Sequence, residues 1–275
     1  MGCAETRTEF DPMTKKEEAQ LKREEKLKAE KLRTEQMKSY ERNAPGTLIC
    51  GIDEAGRGPF AGPVVAGAVI LDLDDPCREI LYLNDSKKLS EKKRELLFRE
   101  ILSKAVAVGI GYSDAAIIDQ INILQATYRA MRMAVGNLTE VSCLTETDDA
   151  LQEPDTHELV RRLIRYELPD AGSCEYPVTP DHRIVVPDHI LADAVHIPDL
   201  DISQEGIIKG DAKSISIAAG SIVAKVTRDH IMYEYDKRYP EYRFASHKGY
   251  GTAVHIAAIK EYGMLDIHRR SFIHF

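Results

Sequence analysis

The most constraining feature of this chain is a pair of apolar segments joined by a glycine-rich loop. Residues 47–56 and 63–71 are largely apolar, and glycine and proline occupy the loop between them. Short apolar runs bounded by such residues predict two buried β-strands. The first run ends on two adjacent acids, Asp53 and Glu54. Because a charge in apolar surroundings is costly unless it is paired or binds a cation, the acids predict a site at the end of this strand.

The rest of the chain alternates between further strand and helix patterns. Strands are predicted at residues 106–113 and from residues 188 and 206, and helices at residues 14–42, 85–105, 114–138, 214–239 and 252–262. Three consecutive strands followed by strands and helices in alternation favour an α/β fold. We expect a mixed sheet, with its first three strands antiparallel and its later strands parallel, flanked by helices.

Composition places the chain among globular proteins without a membrane span. It has 275 residues, 43% of them hydrophobic, and no uninterrupted apolar run of the length a membrane requires. The first residues contain acids and lack the apolar stretch of a secretory signal. The five cysteines are scattered and form no metal-binding spacing, which indicates reduced thiols. These features predict a cytoplasmic protein with no membrane partner, and we further expect it to be a monomer.

The charge distribution predicts how the chain is organised. A net charge of −8 argues against binding to nucleic acid. However, residues 139–183 contain eleven acidic and four basic residues, which account for most of this net negative charge. The remainder is close to neutral and leaves room for a basic face. We predict a charged N-terminal extension at 1–45 and a main folded domain at 46–275. Within that domain we predict an acidic surface insertion at about 139–183 and a small helical part at about 240–275.

The predicted N-terminal helix has a clear start and two interpretations. Thr14 and Glu17 have the spacing of a capping box, and the residues that follow are strong helix formers. The helix is either simply solvated or an arm that touches substrate or an unknown partner.

Four carboxylates share one context in the predicted sheet. Asp53 ends the first strand and Glu54 follows it, while Asp193 and Asp211 end the strands that start near residues 188 and 206. Ligands of α/β proteins bind where neighbouring strands end. A single aspartate there is often a helix cap or turn former, but four together would repel one another unless a cation bound them. Mg²⁺ prefers such oxygen ligands, and two ions can support phosphodiester hydrolysis.

The glycines after the acid pair predict a close approach of backbone to ligand. Gly56, Arg57 and Gly58 offer backbone N–H and C=O groups that a ribose 2′-hydroxyl can bind. The tripeptide alone is not specific, because glycine-rich loops also form ordinary tight turns.

Five ordered segments resemble the bacterial ribonuclease HII family (type 2 ribonuclease H). They are GIDEAGRGPFAGPVVAGAVIL, NDSKKLSEKKRELL, IIKGDAKSISIAAGSIVAKVTRD, HKGYGT and HRRSF, and the resemblance covers roughly residues 47–138 and 185–272. It implies an RNase H-like fold, Mg²⁺ or Mn²⁺ as cofactor, and RNA–DNA hybrids or DNA duplexes containing ribonucleotides as substrate. It further implies hydrolysis on the 5′ side of the ribonucleotide, giving 3′-hydroxyl and 5′-phosphate ends, in ribonucleotide removal from DNA.

The resemblance also assigns roles to individual residues. It implies a catalytic and metal-binding set, a reader of the RNA–DNA junction, a tyrosine on the junction sugar and contacts to the phosphate backbone. In that order these are Asp53, Glu54, Asp193 and Asp211; Gly56, Arg57 and Gly58; Tyr250; and Ser86 with Lys87.

One part of the resemblance departs from the family pattern. Many relatives have VDGN around the third acid, where this chain has ADAV. Asp188, Asp199 and Asp201 compete with Asp193 for that role, and Asp193 is preferred because it ends the predicted strand. Two other functions are considered: a catalytically inactive relative that binds nucleic acid, and an actin-like or sugar kinase ATPase, which would need a repeated domain that the sequence lacks.

Overall fold

A six-stranded mixed sheet is the centre of the computed structural model, which describes residues 14–141 and 183–275. The strands lie in the order β4-β3-β2-β1-β5-β6 across the sheet. Their bounds are β1 Ile49–Ala55, β2 Val64–Ile70, β3 Ala107–Ser113, β4 Thr139–Glu140, β5 His189–Asp193 and β6 Ser203–Ile207.

The strand directions confirm the predicted fold class. β1 to β4 pair antiparallel in sequence order, whereas β5 runs parallel to β1 and β6 runs parallel to β5. Because β1 and β5 are parallel neighbours, their carboxyl ends meet at the same edge of the sheet. Asp53 near the end of β1 and Asp193 at the end of β5 are thereby brought to one edge.

Helices cover both faces of this sheet. α3 (Glu91–Lys104) and α5 (Ile215–Arg238) share one apolar core with the sheet, and α4 (Ala115–Gly136) shares another on the opposite face. The backbone of α5 lies directly on the sheet, since a Cβ added at Gly67 would lie 2.5 Å from the carbonyl oxygen of Gly220. A Cβ added at Gly51 in β1 would likewise lie 2.0 Å from the carbonyl carbon of Ser216, so the start of α5 lies against β1.

The N-terminal extension forms two helices, α1 (Lys15–Met37) and α2 (Ser39–Asn43). The capping box of Thr14 and Glu17 is present, as predicted, but the helix breaks at Lys38 rather than running to residue 42. The first turns of α1 are exposed, whereas Met37 is buried in the core of the sheet domain. The described part of the extension therefore contacts the domain through its second half.

Two shorter helices follow α5 near the C-terminus: α6 (Phe244–His247) and α7 (Ala253–Tyr262). Residues 142–182, which hold nearly all of the predicted acidic insertion, lie outside the described residues. Among the helices of the described ranges, none has the length and apolar character needed to cross a membrane. The predicted domain boundary at residue 45 stays a prediction.

Two predicted elements have different bounds in the structure. The helix predicted from residue 85 begins at Glu91, because Ser90 caps it and Ser86–Lys88 form a separate 3₁₀ turn. The strand predicted to end at Asp211 ends at Ile207, and Asp211 lies in the 3₁₀ turn Gly210–Ala212. The left-handed backbone of Lys209, with φ of 59°, turns the chain between the strand and this 3₁₀ turn.

Candidate metal centre and adjoining loop

Three aspartates from separate elements converge at the edge of the sheet. Asp53 comes from β1, Asp193 from the end of β5 and Asp211 from the turn that precedes α5. One carboxylate oxygen of each lies within 4.8 Å of the others. Asp53 and Asp211 are 5% and 8% exposed, so the cluster lies largely out of water.

Local hydrogen bonds orient these carboxylates. Asp53 Oδ1 accepts a hydrogen bond of 2.7 Å from the N–H of Glu54, and Asp193 Oδ1 accepts one of 2.7 Å from the N–H of Gly210. Gly210 precedes Asp211, so its bond to Asp193 ties the turn of one acid to the side chain of another. The geometry of the cluster is thus set by backbone as well as by side chains.

The electrostatics of the cluster favour a bound cation. Burial, reinforced by the charges of Glu54 and Asp193, raises the pKa of Asp53 well above its usual range. Burial also raises the pKa of Asp211, with Asp85 and Asp193 adding to the effect. Such shifts record the cost of gathering negative charges without compensation. The oxygen-only donor set suits a hard divalent ion such as Mg²⁺ or Mn²⁺.

Glu54 lies beside the aspartate cluster rather than within it. Its Oε1 is 3.5 Å from Arg57 Nη1, and its side chain is 14% exposed. Burial raises the pKa of Glu54; Arg57 opposes this shift and the charge of Asp193 adds to it. The structure therefore brings three of the four predicted acids into one group and leaves the fourth on its rim, paired with an arginine.

The turn that holds Ser86 and Lys87 borders the cluster. Ser86 Oγ lies 2.8 Å from Ser221 Oγ, and a hydrogen bond from Ser221 reaches Asp53. Lys87 is exposed, and its charge lowers the pKa values of Glu54 and Asp211 against the effect of burial. Both predicted residues are therefore near the acids.

Asp85 is a site residue that sequence reasoning missed. Its charge raises the pKa of Asp211, as does a hydrogen bond between the two carboxyl groups when one of them is protonated, and its side chain is 16% exposed. It also accepts a hydrogen bond of 2.9 Å from the N–H of Lys87, which is the ordinary behaviour of a turn former. The available signal is its place directly before Ser86 in the NDSKKLSEKKRELL segment.

The glycine loop and Tyr250 adjoin one another next to the acids. A Cβ added at Gly58 would meet only Tyr250, whose Cε1 would be 3.8 Å away. Tyr250 is 47% exposed, and Arg57 and Gly58 are exposed as well. The predicted junction-reading residues thus form one accessible surface beside the aspartates.

A chain of buried histidines holds the loop of Tyr250. The N–H of Leu265 donates to His268 Nδ1 at 2.8 Å, His268 Nε2 lies 3.0 Å from His255 Nε2, and His255 Nδ1 lies 2.9 Å from the carbonyl oxygen of Tyr250. Since His268 Nδ1 accepts, its Nε2 donates to His255, which in turn donates to Tyr250. Burial lowers the pKa values of His255 and His268 to about 4, so both rings are neutral at pH 7.

The N-terminal extension reaches the same site from behind. Glu41 of α2 is buried, and its Oε1 accepts hydrogen bonds of 2.5 Å from Ser214 Oγ and 2.9 Å from the N–H of Ser216. Ser214 is the N-terminal capping residue of α5, and its N–H donates to the carbonyl oxygen of Gly210 at 2.8 Å. Glu41 therefore supports the turn that carries Asp211, a role that neither interpretation of the predicted N-terminal helix included.

Comparisons with known proteins agree on one family. The family model described as Ribonuclease HII matches residues 50–161 and 175–275. Ribonuclease HII of Lachnoclostridium phytofermentans is 51% identical over 252 residues, covering 91% of this chain and 80% of that protein. Ribonuclease HII of Bacillus subtilis is 44% identical over 255 residues, covering 92% and 81%. The crystal structure of ribonuclease H2 from Pyrococcus horikoshii matches with a TM-score of 0.53 at 22% identity, covering 81% of this chain and 92% of that one, which supports the fold.

Proposed function

This chain belongs to the ribonuclease HII family and is a ribonuclease H acting on RNA–DNA hybrids, and we propose that its aspartate cluster is the catalytic centre. The observation that carries the proposal is the convergence of Asp53, Asp193 and Asp211 within 4.8 Å beside the exposed glycine loop. Both identity to relatives and matched length support the activity, while the geometry supports the assignment of residues.

The four acids Asp53, Glu54, Asp193 and Asp211 would hold the divalent ions, Mg²⁺ or Mn²⁺. When bound, such ions supply an activated water and neutralise charge on the phosphate and the leaving oxygen. Asp53 and Asp211 are buried and their pKa values are raised, so ionising both costs free energy in the absence of a cation. A bound cation would offset this cost. Glu54, at the rim and close to Arg57, stands where it can contact either an ion or the substrate's edge.

The chain's own residues would orient the scissile phosphate relative to these acids. Lys87 and the exposed face of its turn provide positive charge next to the cluster, which suits a phosphate of the nucleic-acid backbone. Ser86 is buried through its contact with Ser221, so it holds the turn in place. The hydrolysed bond is the phosphodiester on the 5′ side of a ribonucleotide, which leaves 3′-hydroxyl and 5′-phosphate ends.

The loop Gly56, Arg57 and Gly58 would recognise the ribose. Backbone groups at this loop are exposed next to the acids, and a 2′-hydroxyl both donates and accepts hydrogen bonds. Tyr250 adjoins Gly58 and offers a ring on which the neighbouring sugar packs. Recognition of sugar and backbone rather than base edges predicts little dependence on base sequence.

The test is incision of a DNA duplex that contains one ribonucleotide, compared with an all-deoxy duplex and an RNA–DNA hybrid. We expect incision on the 5′ side of the ribonucleotide, dependent on Mg²⁺ or Mn²⁺ and abolished by Asp53→Asn. Binding of the duplex without incision under any divalent ion would support an inactive relative instead. ATP hydrolysis without incision would contradict the proposal.

A further inference from the structure

Two buried arginines lie behind the loop that joins β1 and β2. Arg269 is fully buried and Arg228 is 1% exposed. Arg269 Nη2 donates to the carbonyl oxygen of Gly56 at 2.6 Å and Nη1 to that of Arg57 at 2.9 Å. Its Nε and Nη2 also donate to the carbonyl oxygen of Gly62, at 3.0 Å and 2.8 Å. One guanidinium thus joins both ends of the loop.

Arg228 completes this support from α5. Its Nε donates to the carbonyl oxygen of Pro63 at 3.0 Å, and its Nη2 donates to that of Ala61 at 3.1 Å. Gly56 has φ of 95°, and a Cβ there would lie 2.0 Å from Arg228 Nε. The loop therefore needs glycine at this position because the arginine fills the space behind it. In total, five carbonyl oxygens of one short loop face two cations.

The inward carbonyls determine where the neighbouring N–H groups point. The described chain contains no cis peptide bond, and in a trans peptide the C=O and the following N–H point in opposite directions. With the carbonyls of Gly56 and Arg57 directed at buried Arg269, the N–H groups of Arg57 and Gly58 point away from it, toward the exposed side. Within residues 14–141 and 183–275, neither N–H has a hydrogen-bond acceptor. Two consecutive donors are left for a ligand.

The buried charge also strengthens these donors. A hydrogen bond from a cation to a carbonyl polarises the peptide group, and the polarised N–H at its other end donates more strongly. Burial beside Arg228 lowers the pKa of Arg269 to about 9, which still leaves the guanidinium charged at neutral pH. The same residue therefore sets both the direction and the strength of the two donors.

We propose that Arg269, supported by Arg228, is a positioning residue that gives this enzyme its selectivity for a ribonucleotide. It orients the N–H groups of Arg57 and Gly58 toward the 2′-hydroxyl, without touching the substrate itself. This inference rests on the proposed function of the glycine loop as the reader of the ribose. It assigns specificity to a residue 207 positions away from Gly62 in the sequence.

The experiment measures binding of two duplexes that differ by a single 2′-hydroxyl, one with one ribonucleotide and one all-deoxy. Fluorescence anisotropy with Ca²⁺ in place of Mg²⁺ gives the ratio of the two Kd values without turnover. Arg269→Lys keeps the charge but cannot make the forked contacts. Weakening one charge-assisted bond is expected to reduce the selectivity ratio about tenfold while the Kd of the all-deoxy duplex stays unchanged.

A matched control and a chemical rescue keep the test decisive. Arg132→Lys makes the same change at an arginine that donates to a carbonyl outside the loop, that of Pro198, and should leave the ratio unchanged. In Arg269→Ala, added methylguanidinium should restore selective incision, whereas methylammonium should not. This rescue remains informative even if the loop is disordered in Arg269→Ala, because methylguanidinium would occupy the space left by the arginine side chain and restore the loop.

The outcomes separate this inference from the function on which it rests. Unchanged selectivity in both Arg269 variants would overturn the role of Arg269. Equal weakening of both duplexes, with no rescue by methylguanidinium, would overturn it too and leave a purely structural arginine. A wild-type enzyme that binds the two duplexes equally would contradict the loop's proposed function before any variant is made.

Discussion

The aspartate cluster and the adjoining glycine loop occupy neighbouring residues but are stabilised in opposite ways. In the cluster, like charges face one another in a largely buried site, and the pKa values of Asp53 and Asp211 are raised. In the loop, five carbonyl oxygens already have partners in two buried guanidiniums, and the N–H groups of Arg57 and Gly58 are left for a ligand. The cluster is electrostatically incomplete until a cation binds, whereas the loop is preorganised by the protein alone.

This difference indicates how the work of recognition and hydrolysis is divided. Preorganised donors cost no rearrangement when a substrate binds, which favours discrimination between two sugars. A repulsive acidic cluster gains free energy when a cation binds, which favours loading of the ion. If the comparison is right, variants of the cluster and of the loop will fail in different measurements.

The largest expected effect is loss of incision in cluster variants. Asp193→Asn should reduce the incision rate well beyond the roughly 100-fold expected for a supporting residue, because it removes a proposed ligand of the divalent ion. The matched control is Asp199→Asn, in the segment that connects β5 to β6. The side chain of Asp199 is 85% exposed and forms an ion pair with Arg132. Equal incision rates for the two variants would show that the assignment of Asp193 as the third acid is wrong.

The second effect is on folding of the loop. Gly56→Ala combines positive φ with a Cβ placed 2.0 Å from Arg228 Nε, so we expect it to lower the free energy of unfolding by about 2–4 kcal/mol. Gly58→Ala meets only Tyr250 at 3.8 Å and should change the same quantity by less than about 0.5 kcal/mol. Urea unfolding of both variants checks this, and similar losses would mean that the arginines do not brace the loop.

A third expected effect tests the contact between extension and cluster. Glu41→Ala leaves the N–H of Ser216 and the hydroxyl of Ser214 without their acceptor, so we expect a loss of about 1–3 kcal/mol in the free energy of unfolding. Arg42→Ala, beside it, removes an exposed ion pair with Glu35 and should cost less than about 0.5 kcal/mol. An equally small effect of both would show that Glu41 does not stabilise the start of α5.

The smallest effect is a change in pH dependence. The folded-state pKa values of His255 and His268 are lowered to about 4, below their usual 6.5, so the unfolded chain binds more protons as pH falls through that window. The neutral histidines therefore contribute their full share to the free energy of unfolding above about pH 6.5, and this contribution is lost as the pH falls toward 4. The expected loss is on the order of 1–2 kcal/mol per histidine between pH 7 and 5. His255→Gln, which keeps a donor and an acceptor, should flatten this loss in urea unfolding at the two pH values. An unchanged slope would contradict the neutral histidine chain.

The sequence predicted the sheet and the acids better than the supports behind them. The mixed sheet could be predicted from apolar segments such as Val64–Ile70. Asp53 and Asp193 could be predicted at strand ends because a strand is recognised from neighbouring residues in the sequence. Asp211 was placed at the end of a strand, but a left-handed Lys209 turns the chain before it. Left-handed backbone at a lysine has no clear sequence signal, so the position of the turn could not be predicted.

The residues that support the site from behind, Arg269 and Glu41, could not be predicted, for a different reason. Arg269 and Glu41 contact groups that lie more than 170 residues away along the chain, and an arginine or glutamate is usually a surface residue. Only the fold shows that Arg269 faces carbonyl oxygens and that Glu41 faces the start of α5. Motifs identified the residues exposed to a ligand; the residues that orient them required the structure.

The most direct test of the central comparison is the metal-free thermal stability of Asp53→Asn against wild type at neutral pH. Because the pKa of Asp53 is raised in the folded state, the folded protein binds a proton more readily than the unfolded chain, and stability falls as pH rises through that range. Removing the charge should therefore raise the Tm of the metal-free protein and shrink the further rise in Tm that Mg²⁺ or Mn²⁺ produces in wild type. A metal-free Tm that falls in Asp53→Asn, together with an unchanged response to the ions, would contradict the account of an acidic cluster completed by a cation.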